Sequence, residues 1–208
     1  RDNPALSAAC QECQEIVPLF VFDEPLLRSH AFGSACVGFM LGCLEELRRS
    51  LALHGVSLAW RTGDPVESVI QAASDFKVDA VYWNRDYEPA ALERDCTVQQ
   101  RLAQHGWTVR TFKDHVVFEA EEVRGQSGDP FQRYSAYRDR WWVKWRAAAQ
   151  PLLGIPSFPR ADKATAPESR EWPSLTDLGY EPVPMWIEPG EQAAHARLQW
   201  FLRGPVHH

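Results

Sequence analysis

The hydrophobic positions of the first 118 residues follow two alternating rhythms. Ile16 to Phe22, IVPLFVF, is a nearly continuous apolar run, the pattern of a strand covered on both faces. From Gly33 to His54, Val37, Leu41, Leu44, Leu47 and Leu51 recur every three or four positions, which predicts a helix stopped at His54-Gly55. VSLAW, from Val56, predicts a second strand. Gly63-Asp64-Pro65 then predicts a turn in which Asp64 caps a helix beginning at Pro65 and running to Phe76. VDAVYW predicts a third strand, PAALERDCTVQQRLAQHG a helix ended by Gly106, and WTVRTFKDHVVF a last strand broken near Lys113 and Asp114.

Strands separated by helices predict a parallel sheet with helices on both faces, a doubly wound, Rossmann-like α/β domain over 1–118. The opening departs from this rhythm. RDNPALSAACQECQ begins as a helix, with Asn3 as cap and Pro4 at the first helical position, and no strand precedes it. In a doubly wound sheet the first strand is central, and its omission leaves strand edges unpaired. A strand before Arg1 is therefore expected in the natural protein.

After Phe118 the texture changes. An extension, 119–150, holds a turn at Gly128 to Pro130 and an aromatic-rich helix from Ser135 to Ala149. Residues 151–186, rich in Pro, Ser and charge, read as a linker on a surface. Residues 187–208 begin a further helical segment, with Ala194, Leu198, Phe201 and Leu202 on one side.

Composition narrows the class. Of 208 residues 45% are apolar and 24% charged, an ordinary globular balance. No apolar run approaches the roughly 20 residues of a membrane-spanning helix, and the N-terminus lacks the pattern of a secretory signal. The net charge of −6 argues against the chain gripping a phosphate backbone by itself. Cys10 and Cys13 form a C-x-x-C, but Cys36 and Cys43 are too far apart for a second zinc-type pair. The five cysteines read as reduced, partly buried thiols of a cytoplasmic protein, with no metal site. No P-loop signature or G-x-G-x-x-G follows a strand.

The stretch with most chemistry is VYWNRDYEPAALERD, Val81 to Asp95. Its strand-to-helix turn places Asp86 and Glu88 where open α/β sheets bind ligands. Carboxylates there can accept hydrogen bonds from ring N–H groups and hydroxyls. They are equally suited to the ordinary electrostatics of a helix start.

RDNPAL, FVFDE, GDP and VYWNRDYEPAALERD, followed by GDPFQRYSAYRDRW, together resemble the N-terminal half of the DNA photolyase and cryptochrome family. Phe131, Tyr134, Tyr137 and Trp141 fit the family pattern after the turn, while Ala136 replaces a usual proline. The resemblance implies a five-stranded sheet whose first strand is missing here. It implies an antenna chromophore in this domain that transfers energy to FAD in a C-terminal helical domain absent after His208. The whole protein would then be a photolyase acting on pyrimidine dimers in UV-damaged DNA, the catalytic part lying outside this chain. The alternative is the same domain of a cryptochrome photoreceptor; a free electron-transfer-flavoprotein or stress-protein type module would lack GDPFQRYSAYRDRW.

The resemblance also assigns candidate chromophore contacts: Asp86, Glu88 and Asn84, with Phe39, Gly42 and Cys43 from GFMLGCLEEL as wall residues. A glycine at position 42 would let a flat ring approach the backbone. A deazaflavin or FMN antenna is favoured over folate, because Ala90 and Ala91 stand where folate-binding members carry asparagine and glutamate. Trp141, Trp142 and Trp145 read as a docking face rather than an electron relay, and a monomer without membrane contact is expected.

Overall fold

The computed structural model describes residues 2–29, 31–125, 127–147, 153–159 and 172–204. In chain order it contains α1 (Pro4–Glu12), β1 (Leu19–Asp23), α2 (Glu24–Arg28), α3 (Ser34–Ala52), β2 (Ala59–Gly63), α4 (Pro65–Asp75), β3 (Ala80–Asn84), α5 (Pro89–Gln104), β4 (Thr108–Phe112), a short 3-10 turn (Ala120–Glu122), α6 (Tyr134–Ala147) and α7 (Glu191–Arg203). The strand-helix alternation read from periodicity is present, and every strand pairing is parallel. The strands form two two-stranded sheets, β1-β2 and β3-β4. The chain divides into two compact units, Arg1–Cys13 with Val78–Ser157, and Gln14–Lys77 with Phe158–His208.

The first unit contains α1, β3, α5, β4 and α6. Asn3 caps α1 as its sequence position suggests: its Oδ1 accepts from the Leu6 N–H at 2.8 Å, with Pro4 following in the first turn. On α5, Ala91, Val98 and Leu102 are buried, a helical face in which Leu102 is fully enclosed. Burying such a side chain contributes about 1.5–3 kcal/mol. The last strand ends at Phe112 instead of continuing to Phe118. Beyond it Lys113 pairs with Glu122 at 2.8 Å and Asp114 accepts from Asn84, so these side chains leave the ladder for ionic partners.

The second unit contains β1, α2, α3, β2, α4 and α7. Phe22, Val37, Leu44, Leu27 and Tyr180 form its core, with Trp60 and Trp172 edge-on to Phe22 at 5.8 and 5.7 Å. Tyr180 and Trp172 lie in the stretch expected to rest on a surface. Tyr180 is instead buried and donates to the Leu27 carbonyl at 2.6 Å. The most Pro-, Ser- and charge-rich part of that stretch, 160–171, lies outside the described residues.

Two strand boundaries shift. Parallel pairing sets Leu19 opposite Ala59, so Ile16 precedes β1, and Val56 and Leu58 pack into a second cluster with Leu51 before β2 begins. The short α2 has no apolar period to announce it. Its signal is Asp23-Glu24-Pro25, in which Asp23 Oδ1 accepts from the Leu26 N–H.

Candidate functional site

Parallel pairing of β3 with β4 sets Asn84 opposite Phe112, and Arg85 N continues the contact by donating to the Phe112 carbonyl at 2.8 Å. The chain then crosses to α5 through Arg85, Asp86, Tyr87 and Glu88, and successive side chains divide between two tasks.

Arg85 and Tyr87 reach the same carboxylate. Arg85 Nε donates to Glu119 Oε1 at 3.0 Å, Nη2 at 2.5 Å, and the Tyr87 hydroxyl donates to it at 2.9 Å. Arg85 Nη1 donates to both the carbonyl and hydroxyl oxygens of Thr111 at 2.9 Å. The hydrogen bond from Arg85 holds the Glu119 carboxyl below its ordinary range. Glu119 is itself fixed by a capping box, its backbone N–H donating to Glu122 Oε2. This clamp is absent from the set of residues singled out by sequence. Its signal is the alternation in Arg85-Asp86-Tyr87-Glu88, but the distant Glu119 carries no local mark.

The intervening acids are not in the clamp. Asp86 Oδ1 accepts from the backbone N–H groups of Tyr87 at 2.6 Å and Glu88 at 3.3 Å. Hydrogen bonds from the Glu88 and Tyr87 backbone N–H groups hold its carboxyl below the usual range. His115 Nδ1 lies 4.0 Å away. Glu88 occupies the N-cap position of α5 but makes no side-chain capping bond, and it is exposed. Asp86 thus keeps the turn ionic and ordered, while Glu88 presents a carboxylate to solvent.

Asn84 has a different occupation. Its Oδ1 accepts from the Ala5 N–H at 3.0 Å and its Nδ2 donates to Asp114 at 2.9 Å, so both ends of the amide tie the first turn of α1 to the end of β4.

Phe39, Gly42 and Cys43 belong to α3, in the second unit. A Cβ at Gly42 would stand 2.6 Å from Pro189 Cγ, so the space expected to admit a flat ring is taken by Pro189. Cys43 Sγ accepts from the Gly190 N–H at 3.3 Å. Phe39 remains partly exposed. An open apolar groove of about 830 Å³ in this unit is lined by Gly33, Ser34, Met185 and Trp186, and holds none of the residues expected to contact a chromophore. The structure therefore brings Asn84, Asp86 and Glu88 together in one unit, and Phe39, Gly42 and Cys43 together in the other.

All five cysteines are free thiols. Burial and the neighbouring Cys13 push the Cys10 thiol up, and Cys13 Sγ donates to the Tyr82 hydroxyl at 3.7 Å. Among the described residues no group of three or more metal-ligating side chains is present, and no helix is long and apolar enough to cross a membrane.

The chain is similar to a deoxyribodipyrimidine photo-lyase of Synechococcus, 32% identical over 96% of this chain and 42% of that protein. Two solved structures share its fold. One is an archaeal photolyase from Sulfolobus tokodaii described as holding two FAD molecules, with a TM-score of 0.67, 21% identity, and 95% of this chain and 42% of that one covered. The other is a Synechocystis cryptochrome, with a TM-score of 0.77, 19% identity, and coverage of 97% and 43%. The chain spans less than half the length of these proteins. The family model for DNA photolyase matches residues 1–156, and the chain belongs to that family.

Proposed function

We propose that the chain is the light-harvesting α/β domain of a deoxyribodipyrimidine photolyase. In this reading it holds an antenna chromophore that passes absorbed energy to FAD bound by a helical domain, which uses that energy to split pyrimidine dimers in UV-damaged DNA. The observation that carries the reading is the pair of acids at the C-terminal end of β3. The Arg85–Tyr87–Glu119 clamp fixes the turn without consuming Glu88, and Asp86 is held ionised beside it. Two carboxylates on a rigid strand end suit the N–H and hydroxyl donors of a deazaflavin or FMN.

Asp86 and Glu88 are the proposed chromophore contacts. Asn84, Gly42 and Cys43 already have protein partners and support the elements around them. Ala90 and Ala91 offer no polar group to a folate. A flavin antenna has a parallel in the two FAD molecules of the Sulfolobus tokodaii photolyase.

The test uses the full-length protein under monochromatic light. Replacing both acids, Asp86→Ala with Glu88→Ala, should remove the absorption band beyond that of FAD and abolish repair driven at that band. Repair driven by direct excitation of the flavin should survive. A double variant that keeps the second band rejects the two acids as contacts. The alternative is a cryptochrome photoreceptor domain of the same fold; absence of dimer repair under blue light by a protein with both chromophores bound would favour it.

A further inference from the structure

The net charge of −6 conceals an uneven distribution. Between Arg133 and Arg146 there are five cations, Arg133, Arg138, Arg140, Lys144 and Arg146, against one acid, Asp139. The chain has 22 basic and 28 acidic residues in all, which leaves 17 basic and 27 acidic residues outside this segment, a net acidic remainder. Apart from Arg133, just before it, the segment lies in α6, which has no buried residue.

One side of α6 is anchored. Trp141 packs edge-on against Phe118 at 5.6 Å, and Lys144 donates to the Glu122 carbonyl. Beside it runs a stripe of Tyr134, Arg138, Trp142 and Arg146, spaced four residues apart and so successive neighbours along the helix at about 6 Å intervals. This row alternates ring and cation. Tyr134 is 75% exposed and Trp142 45%, with Trp145 beside them at 39%. The Arg146 guanidinium lies over the Trp142 ring at 5.9 Å. Asp139 takes Arg138 in a surface pair, 2.7 Å long, that an incoming phosphate can replace.

From this row we infer that α6 is a docking surface for single-stranded nucleic acid. Phosphates would meet the guanidinium groups, and unstacked bases would lie on the exposed rings. Charge complementarity requires a polyanion, because the basic helix stands on an acidic protein. The interleaving of rings with cations selects among polyanions. A helix lying on an anionic membrane needs an apolar face opposite a basic one, and here the two share a single row. A duplex hides its base faces within the stack, so only a single strand uses both parts of the surface. This inference is independent of the antenna reading, since α6 contributes no proposed chromophore contact.

The test is fluorescence anisotropy of the 208-residue chain with a fluorescein-labelled oligothymidylate, titrated across sodium chloride concentrations. Binding should be saturable and weaken with salt. The exposed double variant, Arg138→Gln with Arg146→Gln, should flatten the slope of log affinity against log salt by about 1.4. Trp142→Ala should weaken binding by about fivefold or more. Circular dichroism of each variant verifies that the fold is kept. Absence of binding at low salt would overturn the inference. So would undiminished affinity in Trp142→Ala, equal affinity for heparin, which has no bases, or binding to phosphatidylserine vesicles but not to the oligonucleotide.

Discussion

Glu119 shows how one carboxylate can organise a turn it is far from in sequence. It receives Arg85 and Tyr87, and thereby decides which side chains of the turn are spent on structure and which remain available. The lowering of its carboxyl pKa is a stability term with a definite sign. Because the folded value lies below the unfolded one, the contribution is fully present above the ordinary carboxylate value of about 4.3, and is lost as pH falls through the lowered folded value. Glu119→Gln should therefore cost about 1–2 kcal/mol near neutral pH. The difference in Tm from the unmodified protein should shrink as the pH is lowered through the carboxylate range. A difference that grew on acidification would contradict the assignment of the clamp as ionic. Asp86 obeys the same sign, with its own backbone N–H donors in place of an arginine.

Two elements are held by backbone geometry that single substitutions can probe. Pro189 approaches α3 at Gly42 so closely that a methyl group there must displace it. Gly42→Ala should lower stability by about 1–3 kcal/mol, measured by urea unfolding, as the cost of overpacking. At the end of α4, Lys77 adopts φ 52, a left-handed conformation unfavourable for a side chain with a Cβ. Lys77→Gly should raise stability by about 1 kcal/mol through relief of that strain. These elements also show which parts of the fold were legible in the sequence. Helices α3, α4 and α5 announced themselves by apolar spacing and by Asp64-Pro65, Glu88-Pro89 and Gly106, signals that are local and physical. The edges of β1 and β2 were less legible, because an apolar run does not say where hydrogen-bonded pairing starts. Val56 and Leu58 are apolar because they fill a core cluster ahead of the strand. Gly42 looked like room for a ligand, and the reason it is occupied lies in Pro189, a residue remote in sequence.

On the scale of the molecule, parallel strands alternating with helices place the acidic turn at the C-terminal end of a strand, the usual position for ligands in this architecture. The family resemblance was legible from the order of short motifs, whose backbone signals of capping, strand and turn the structure reproduces. The acidic turn was legible in part. Asp86 and Glu88 stood out as acids at a helix start, but no local pattern separates a carboxylate that caps from one that binds. The long-range clamp shows that Arg85 and Tyr87 are taken up by Glu119. The account rests on these two acids holding a flavin-type chromophore, and equilibrium titration tests it most directly. The chain and its double variant, Asp86→Ala with Glu88→Ala, are each titrated with FMN, a deazaflavin and a reduced folate, following ligand fluorescence. The account predicts saturable binding of FMN or the deazaflavin in preference to folate, weakened about tenfold or more in the variant. Equal affinity of the two proteins for the preferred ligand, or preference for folate, would contradict it.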